Sequence, residues 1–257
     1  MIQSILSQFP TITLQQMSAV KLMNRIDTKF VTSVDRLCLL MEMARQSYHV
    51  QQTDGNLIAP YQTIYYDTPE MTMYTAHHNG HLNRQKVRIR SYVDSDLHFL
   101  EVKTKDNHRR THKKRINIPG SQADSWDVQI TSAEGEAALF LSERLRVCDH
   151  RELIPVIENR FSRITLVNQA RTERLTIDTD LRFANRITGR KLHMGNFAVV
   201  ELKRDGLQHS PVLQMLLDLR IFPQGFSKYC MGLALTNPQL KQNRFKERLR
   251  YVERIMQ

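Results

Sequence analysis

Between Arg84 and Arg115 the sequence RQKVRIRSYVDSDLHFLEVKTKDNHRRTHKKR repeatedly places a cation at every second position. Lys86, Arg88 and Arg90 alternate with Val87 and Ile89. Glu101, Lys103 and Lys105 alternate with Leu100 and Val102, and Lys113, Arg115 and Asn117 alternate with Ile116 and Ile118. Side chains on a strand change face with period two, so each run sorts its charges onto one face and its apolar residues onto the other. Residues of this kind in this pattern suit phosphate: an arginine fork grips two oxygens at once and a lysine acts as a compact point charge. Cations held roughly 5 Å apart across neighbouring strands repel. Such a wall is tolerable where it stays wet and a polyanion completes it. The plain alternative is a solvated outer face of an antiparallel sheet. A solvated face mixes signs, however, and Glu101 is the one carboxylate in alternation with these cations.

The charge is also localised. The chain has 257 residues and a net charge of +11. Residues 84–115 contribute a net +7 and residues 241–254 a net +4, so the remainder is balanced. That favours a site over a generally sticky surface, with nucleic acid, polyphosphate, nucleotides or an anionic membrane surface as candidate partners. Nucleic acid is disfavoured, because the basic strands carry no stacking aromatics beyond Tyr92 and Phe99. Neither a Walker A loop nor a G-x-G-x-x-G turn occurs, which argues against P-loop and Rossmann nucleotide sites. Cys38, Cys148 and Cys230 show no metal-ligand or disulfide spacing and suit a reducing compartment. His77 and His81 stand at i, i+4 as a weak zinc signal without an evident third ligand. No apolar run approaches the roughly 18 residues of a span, and MIQSILSQFP lacks the basic start of a signal peptide. A cytoplasmic protein is expected.

The elements that must position the cations follow from the same periodicities. Asp94-Ser95-Asp96 and Asp106-Asn107 are turn residues, which makes 84–118 a β-meander. Further strands are expected at Arg25–Val31 (with Arg25, Asp27 and Lys29 on one face), Tyr61–Asp67, Leu153–Val167, Arg174–Asp180 and Phe197–Lys203, with a short strand or turn at Gly225–Met231. On the strand at 153–167, Arg160 and Arg163 fall on opposite faces, so at most one can join the charged wall. Helices are expected at 13–23, after Ser33, at 70–76, from a capping box at Thr131–Glu134, after Ser210-Pro211, and as a basic amphipathic helix over 238–256. A polar loop around Trp126 precedes the capping box. About eight strands suffice to close a barrel. The expected fold is therefore α+β: a closed antiparallel eight-stranded barrel with a charged lumen and helices outside, one domain over residues 1–257.

Seven short motifs occur in order: Arg25-x-Asp27-x-Lys29-Phe30, Val87-Arg88-Ile89-Arg90, Phe99-Leu-Glu101-Val-Lys103-Thr104, Lys113-x-Arg115, Asn159-Arg160, Val200-Glu201-Leu-Lys203 and Phe226-Ser-Lys228-Tyr229. Together they resemble the vacuolar transporter chaperone (VTC) domain, the polyphosphate polymerase domain of the triphosphate tunnel metalloenzyme (CYTH-like) superfamily, over roughly residues 20–235. The resemblance implies an enzyme, an ATP–polyphosphate phosphotransferase, that moves the terminal phosphoryl group of ATP onto a growing inorganic polyphosphate chain inside the tunnel. A triphosphate or nucleoside-triphosphate hydrolase and a non-catalytic polyphosphate-binding module are the alternatives. Carried over position by position, it implies Lys29, Arg88, Arg90, Lys103, Lys113, Arg160 and Lys228 as catalytic phosphate-binding cations, joined in phosphate binding by Arg115 and Lys203. Glu201 is implied as the ligand of Mn2+ or Mg2+. Asp27, Glu101 and Asp178 are further candidate ligands, or else lumen ion-pair partners. In fungi such a domain works beside a membrane-spanning protein, so a membrane-protein partner is also implied. Three departures stand out. The acid-x-acid-x-Lys motif begins with Arg25, Glu158 stands where an aromatic usually precedes the central arginine by two residues, and Gly225 stands where a lysine is common.

Overall fold

The alternation in 84–118 becomes the backbone of the molecule. A computed structural model of the chain describes residues 1–18, 25–108, 110–120, 130–206 and 208–256. In chain order the elements are α1 (Ile2–Leu6), β1 (Thr11–Thr13), α2 (Leu14–Ser18), β2 (Arg25–Thr32), α3 (Val34–Ala44), β3 (Tyr48–Gln52), β4 (Ala59–Asp67), α4 (Thr72–Asn79), β5 (Arg84–Tyr92), β6 (Leu97–Lys105) and β7 (Thr111–Asn117). They continue with α5 (Glu136–Arg144), β8 (Ile154–Asn168), β9 (Glu173–Asn185), β10 (Lys191–His193), β11 (Ala198–Asp205), α6 (Pro211–Asp218), α7 (Lys228–Thr236) and α8 (Lys246–Met256).

Eight strands form one antiparallel sheet in the order β2-β11-β9-β8-β4-β5-β6-β7. The apolar faces point outward beneath helices. Val87 and Ile89 of β5 and Leu100 and Val102 of β6 share a core with Ala137, Phe140 and Leu141 of α5. Ile164 and Leu166 of β8, Leu175 and Ile177 of β9, and Val200 and Leu202 of β11 pack with Leu37, Leu40 and Met41 of α3 and Val212 and Leu216 of α6. Apart from the exposed β7, these strands thus bury one face outward and turn their charged face to the concave side. The sheet curls far enough that Glu201 on β11 acts electrostatically on Lys103, five strands away along the sheet order.

The sheet is a curled half-barrel rather than the closed barrel expected. Among the described residues no ladder joins β2 to β7. The reason is visible in β7, which is exposed along nearly its whole length. Its sequence, THKKRIN, carries Lys113 and Arg115 on one face and Lys114 on the other, leaving little apolar surface to fasten an edge. Lysine on an edge strand also discourages further pairing.

The segment 225–231 is not a strand. Ser227 caps α7 by accepting a hydrogen bond from the Cys230 amide (3.3 Å). This helix enters the concave side at one end of the sheet, where Tyr229 lies 5.3 Å from Tyr65 between ring centroids. Gly232 allows the close approach, because a Cβ there would stand 2.5 Å from Phe183 and 2.8 Å from Ile157. The fully buried Asp67 ties the arrangement together: it accepts from the amides of Thr68, Met73 and Tyr74 at the start of α4 and from the Tyr229 hydroxyl (2.5 Å).

The basic C-terminal helix begins at Lys246, after a 3-10 turn at Asn243–Phe245, and not at 238. Pro238 lies in the intervening turn, in which the Asn237 side chain accepts from the Gln239 amide. The expected capping box at 131–134 does not start α5; Gly135 precedes it. Of the helix expected over 13–23, α2 covers 14–18, and 19–24 lie outside the described residues, as does the loop around Trp126.

Candidate functional site: a cationic half-barrel

Cross-strand register assembles the wall. On the concave face Lys86, Arg88 and Arg90 of β5 stand opposite Lys103, Glu101 and Phe99 of β6, which in turn face Lys113, Arg115 and Asn117 of β7. Across the curl, Glu201 and Lys203 of β11 stand opposite Lys29 and Asp27 of β2.

Three carboxylates organise these cations, each holding two. Fully buried Glu101 accepts from Arg88 through Nε (2.7 Å) and Nη2 (2.5 Å) and from Lys113 Nζ (3.2 Å). Asp178 accepts from Arg163 through Nε (2.6 Å) and Nη2 (2.8 Å) and from Lys228. Glu201 is held between Lys29 and Lys203, the latter at 3.0 Å. Burial alone would raise all three carboxyls, but their cations win. Arg88, Arg90 and Lys113 hold Glu101 down at about 2. Arg163 and Lys228 hold Asp178 lower still, and Lys203 and Lys29 do the same for Glu201. All three are anionic at neutral pH and fix the cations in place.

Two cations on this wall are left over. Lys103 has no hydrogen-bond or ion-pair partner among the described residues, and Arg88, burial and Arg90 together push its ammonium down to about 5. Arg90 has a buried Nε without a partner and lies 5.7 Å from the Tyr61 ring centroid. Burial, then Arg88 and Arg163, lower Arg90 to about 10. Lys228 occupies the first turn of α7, the end of a helix that disfavours a cation, and Asp178 compensates. An incoming anion would relieve the buried charge of Arg90 and restore that of Lys103.

The structure brings Lys29, Arg88, Arg90, Lys103, Lys113, Lys203 and Lys228 onto the concave side with Glu101, Asp178 and Glu201. Arg115 lies at its open edge, its guanidinium carbon 4.2 Å from the Phe99 ring centroid. Arg160 is not there. It faces the convex side, 65% exposed, and pairs with Glu158 at 2.7 Å. Unbroken alternation with Ile164 and Leu166, which pack beneath α3 and α6, puts Arg160 on the convex side, and Arg163 takes the concave position. Arg163 stacks on Tyr61 (4.9 Å) and Phe161 (5.1 Å). The signal was present: Phe161-x-Arg163 supplies the aromatic two residues before an arginine that Glu158 lacked. Lys86, which donates to Ser227 Oγ (3.0 Å), was legible as part of the alternation but was not assigned a role.

The weak zinc signal fails. α4 ends at Asn79, before His81, and His77 makes a hydrogen-bond contact with the Gln85 carbonyl. Among the described residues no group of three or more His, Cys, Asp or Glu could hold a metal ion. Glu201 and Asp27 sit on neighbouring strands, with Glu201 already engaged by two lysines. This donor set fits Mg2+ or Mn2+ only as an ion that arrives with phosphate oxygens and waters and adds one or two carboxylates. No helix among the described residues is long and apolar enough to cross a membrane.

Comparisons with known proteins agree with this geometry. The family model described as the VTC domain matches residues 24–237. No curated protein matches the sequence significantly. Among solved structures, a candidate adenylate cyclase from Bacillus halodurans superposes with a TM-score of 0.53 at 13% identity, covering 80% of this chain and 96% of its own. A candidate adenylyl cyclase from Hippeastrum, described as having a dominant triphosphatase activity, gives 0.51 at 14% identity, covering 82% and 96%. At these identities the likeness is one of fold.

Proposed function

The chain belongs to the VTC domain family, and from that premise we propose that it transfers the terminal phosphoryl group of ATP to a growing inorganic polyphosphate chain. The observation that carries this reading is the concave wall itself. Cations are pinned by three shared carboxylates, and among the described residues Lys103 and Arg90 make no direct ion pair with any of them.

Phosphoryl transfer needs little covalent help from a protein and much positioning and charge neutralisation. In the proposed step the bond between the γ-phosphorus and the bridging oxygen of ATP breaks. A new bond forms from a terminal oxygen of the polyphosphate to that phosphorus, and ADP leaves. Arg88, Arg90 and Arg163 present guanidinium groups to the non-bridging oxygens, and Lys29, Lys103, Lys113, Lys203 and Lys228 add point charges. Each charge-assisted contact contributes about 1.5–3 kcal/mol, so a few of them hold a triphosphate firmly. Lys103 takes up a proton as the phosphate charge arrives, which converts a strained neutral amine into a binding cation. Arg160 is left out of this assignment because of its position. A divalent ion would be held by Glu201, with Asp27 nearest in sequence register, and would neutralise charge on the phosphate oxygens. We place the activity in the cytoplasm, with a membrane protein as a candidate partner.

The second reading is triphosphate hydrolysis. The open edge at β7 supports it, since an unclosed half-barrel admits water beside the phosphates. Incubation with γ-labelled ATP and Mn2+, resolved on a gel beside a Lys103→Met control, separates the readings. A polymer ladder absent from the control is the expected outcome. Free phosphate alone moves the assignment to a hydrolase. No turnover, with tripolyphosphate still raising the melting temperature of the wild type, leaves a binding module.

A further inference from the structure

At the mouth where β5 begins and β6 ends lies a cavity of about 290 Å3. Among the described residues its wall includes Arg84, Lys86, Lys103, Lys105 and Arg248, and no carboxylate. This contrasts with the middle of the half-barrel, where Glu101, Asp178 and Glu201 each pin two cations. His77 also faces the cavity, but burial and then Lys86 and Arg84 push its imidazole down to about 2, so it adds no charge. The positive groups here are therefore Arg84, Lys86 and Lys105 of the sheet and Arg248 of α8, with Lys103 charged only once an anion arrives.

Arg248 comes from beyond residues 24–237, the part of the chain that matches the family. Its presence at the mouth depends on how α8 docks. Phe245, Leu249 and Val252 are buried in the same core as Tyr74 and Tyr229. The Phe245 ring lies 5.1 Å from His78 and 6.0 Å from Tyr74 between centroids. The Tyr74 hydroxyl donates to the Lys241 carbonyl (2.9 Å), and the Arg244 amide donates to His78 Nε2 (3.2 Å). So the helix is fastened to α4 and α7 on its apolar side. Gly225 leaves open the space its side chain would fill, and the Arg248 guanidinium carbon stands 3.9 Å from where a Cβ would be.

We infer that α8 completes a second anion subsite at this mouth, in which Arg248 joins Arg84, Lys86 and Lys105 to hold phosphates of an inorganic polyphosphate that extend beyond the triphosphate held deeper in the half-barrel. The inference rests on the proposed function. It makes chain length the property that this mouth reads: a triphosphate fills the carboxylate-pinned section, and only a longer chain reaches Arg248.

The test is a binding titration of the full chain with tripolyphosphate and with long-chain polyphosphate, for wild type, Arg248→Gln and Arg250→Gln. Arg250 is an exposed residue of α8 outside the cavity, and its variant removes the same charge. Loss of one charge-assisted contact predicts that Arg248→Gln binds the long chain about tenfold more weakly, with tripolyphosphate and the Arg250→Gln variant little changed and Arg248→Lys restoring part of the affinity. Equal losses for both anions, an equal loss in Arg250→Gln, or no loss for the long chain would overturn the inference and leave the proposed function standing. Failure of wild type to bind either anion would overturn both. Melting temperatures of the variants confirm that α8 remains docked.

Discussion

Lys103 and Arg88 are neighbours on one wall, yet removing them should have opposite effects on stability. Lys103 titrates near 5 in the folded chain against an ordinary 10.5. Between those values the unfolded chain holds a proton that the folded chain does not, so stability rises with pH across that window and declines as pH falls through it. Lys103→Met removes the cost of discharging that ammonium on folding. It should raise the melting temperature of the empty protein, flatten that dependence and abolish stabilisation by tripolyphosphate; thermal melts between pH 6 and pH 9 with and without the anion check all three, since that range lies inside the titration window. Arg88→Ala instead strands the fully buried Glu101 with only Lys113 at 3.2 Å. Breaking a buried pair in this way costs about 3–5 kcal/mol, measurable by urea unfolding, and Glu101→Gln in the same chain should recover part of the loss. On β8, Arg163→Ala should eliminate turnover while Arg160→Ala leaves it within about twofold, because an exposed surface pair contributes little. The reverse ranking in a labelled-ATP assay would show that the wall is misassigned.

The elements were legible where one face is apolar and the other charged. β5, β6, β9 and β11 alternate cleanly, and the same alternation marked their inward residues. What the sequence hid was set by long-range register. Arg160 and Arg163 were separable by face, but which of them turned inward depended on which face of β8 the helices α3 and α6 cover. The segment after Gly225 looked strand-like through Phe226, Tyr229 and Cys230, yet Ser227 caps a helix there and Gly232 lets it lie against Phe183. A methyl group at Gly232 would overlap the Phe183 ring and Ile157. Gly232→Ala should therefore cost about 1–3 kcal/mol as overpacking and displace Lys228 from Asp178. The expected signature is a lowered melting temperature together with weaker tripolyphosphate binding, whereas a stability loss with unchanged binding would detach α7 from the site. The docking of α8 was equally hidden, because amphipathicity reports that a helix has a buried side without reporting what buries it.

At the scale of the whole molecule, the half-barrel has one weak edge. β7 is exposed on both faces and tied to the rest of the charged wall mainly through its ladder with β6 and the contact of Lys113 with Glu101. An anion that bridges Lys113 to cations across the curl should hold that edge down. Hydrogen exchange of the β7 amides is expected to slow on adding tripolyphosphate, while β8 and β9, already central, change little; unchanged β7 exchange would argue that the anion binds without engaging the edge.

The pairing of each of Glu101, Asp178 and Glu201 with two cations carries a consequence for movement. These carboxylates are resident counter-ions, so an arriving phosphate displaces something rather than filling a void, and a departing one is replaced at once. On the proposed polymerase reading, a polyanion advancing by one phosphate exchanges partners with the protein along the stretch that these carboxylates line. For the proposed reaction, such exchange would favour retention of a chain together with its advance.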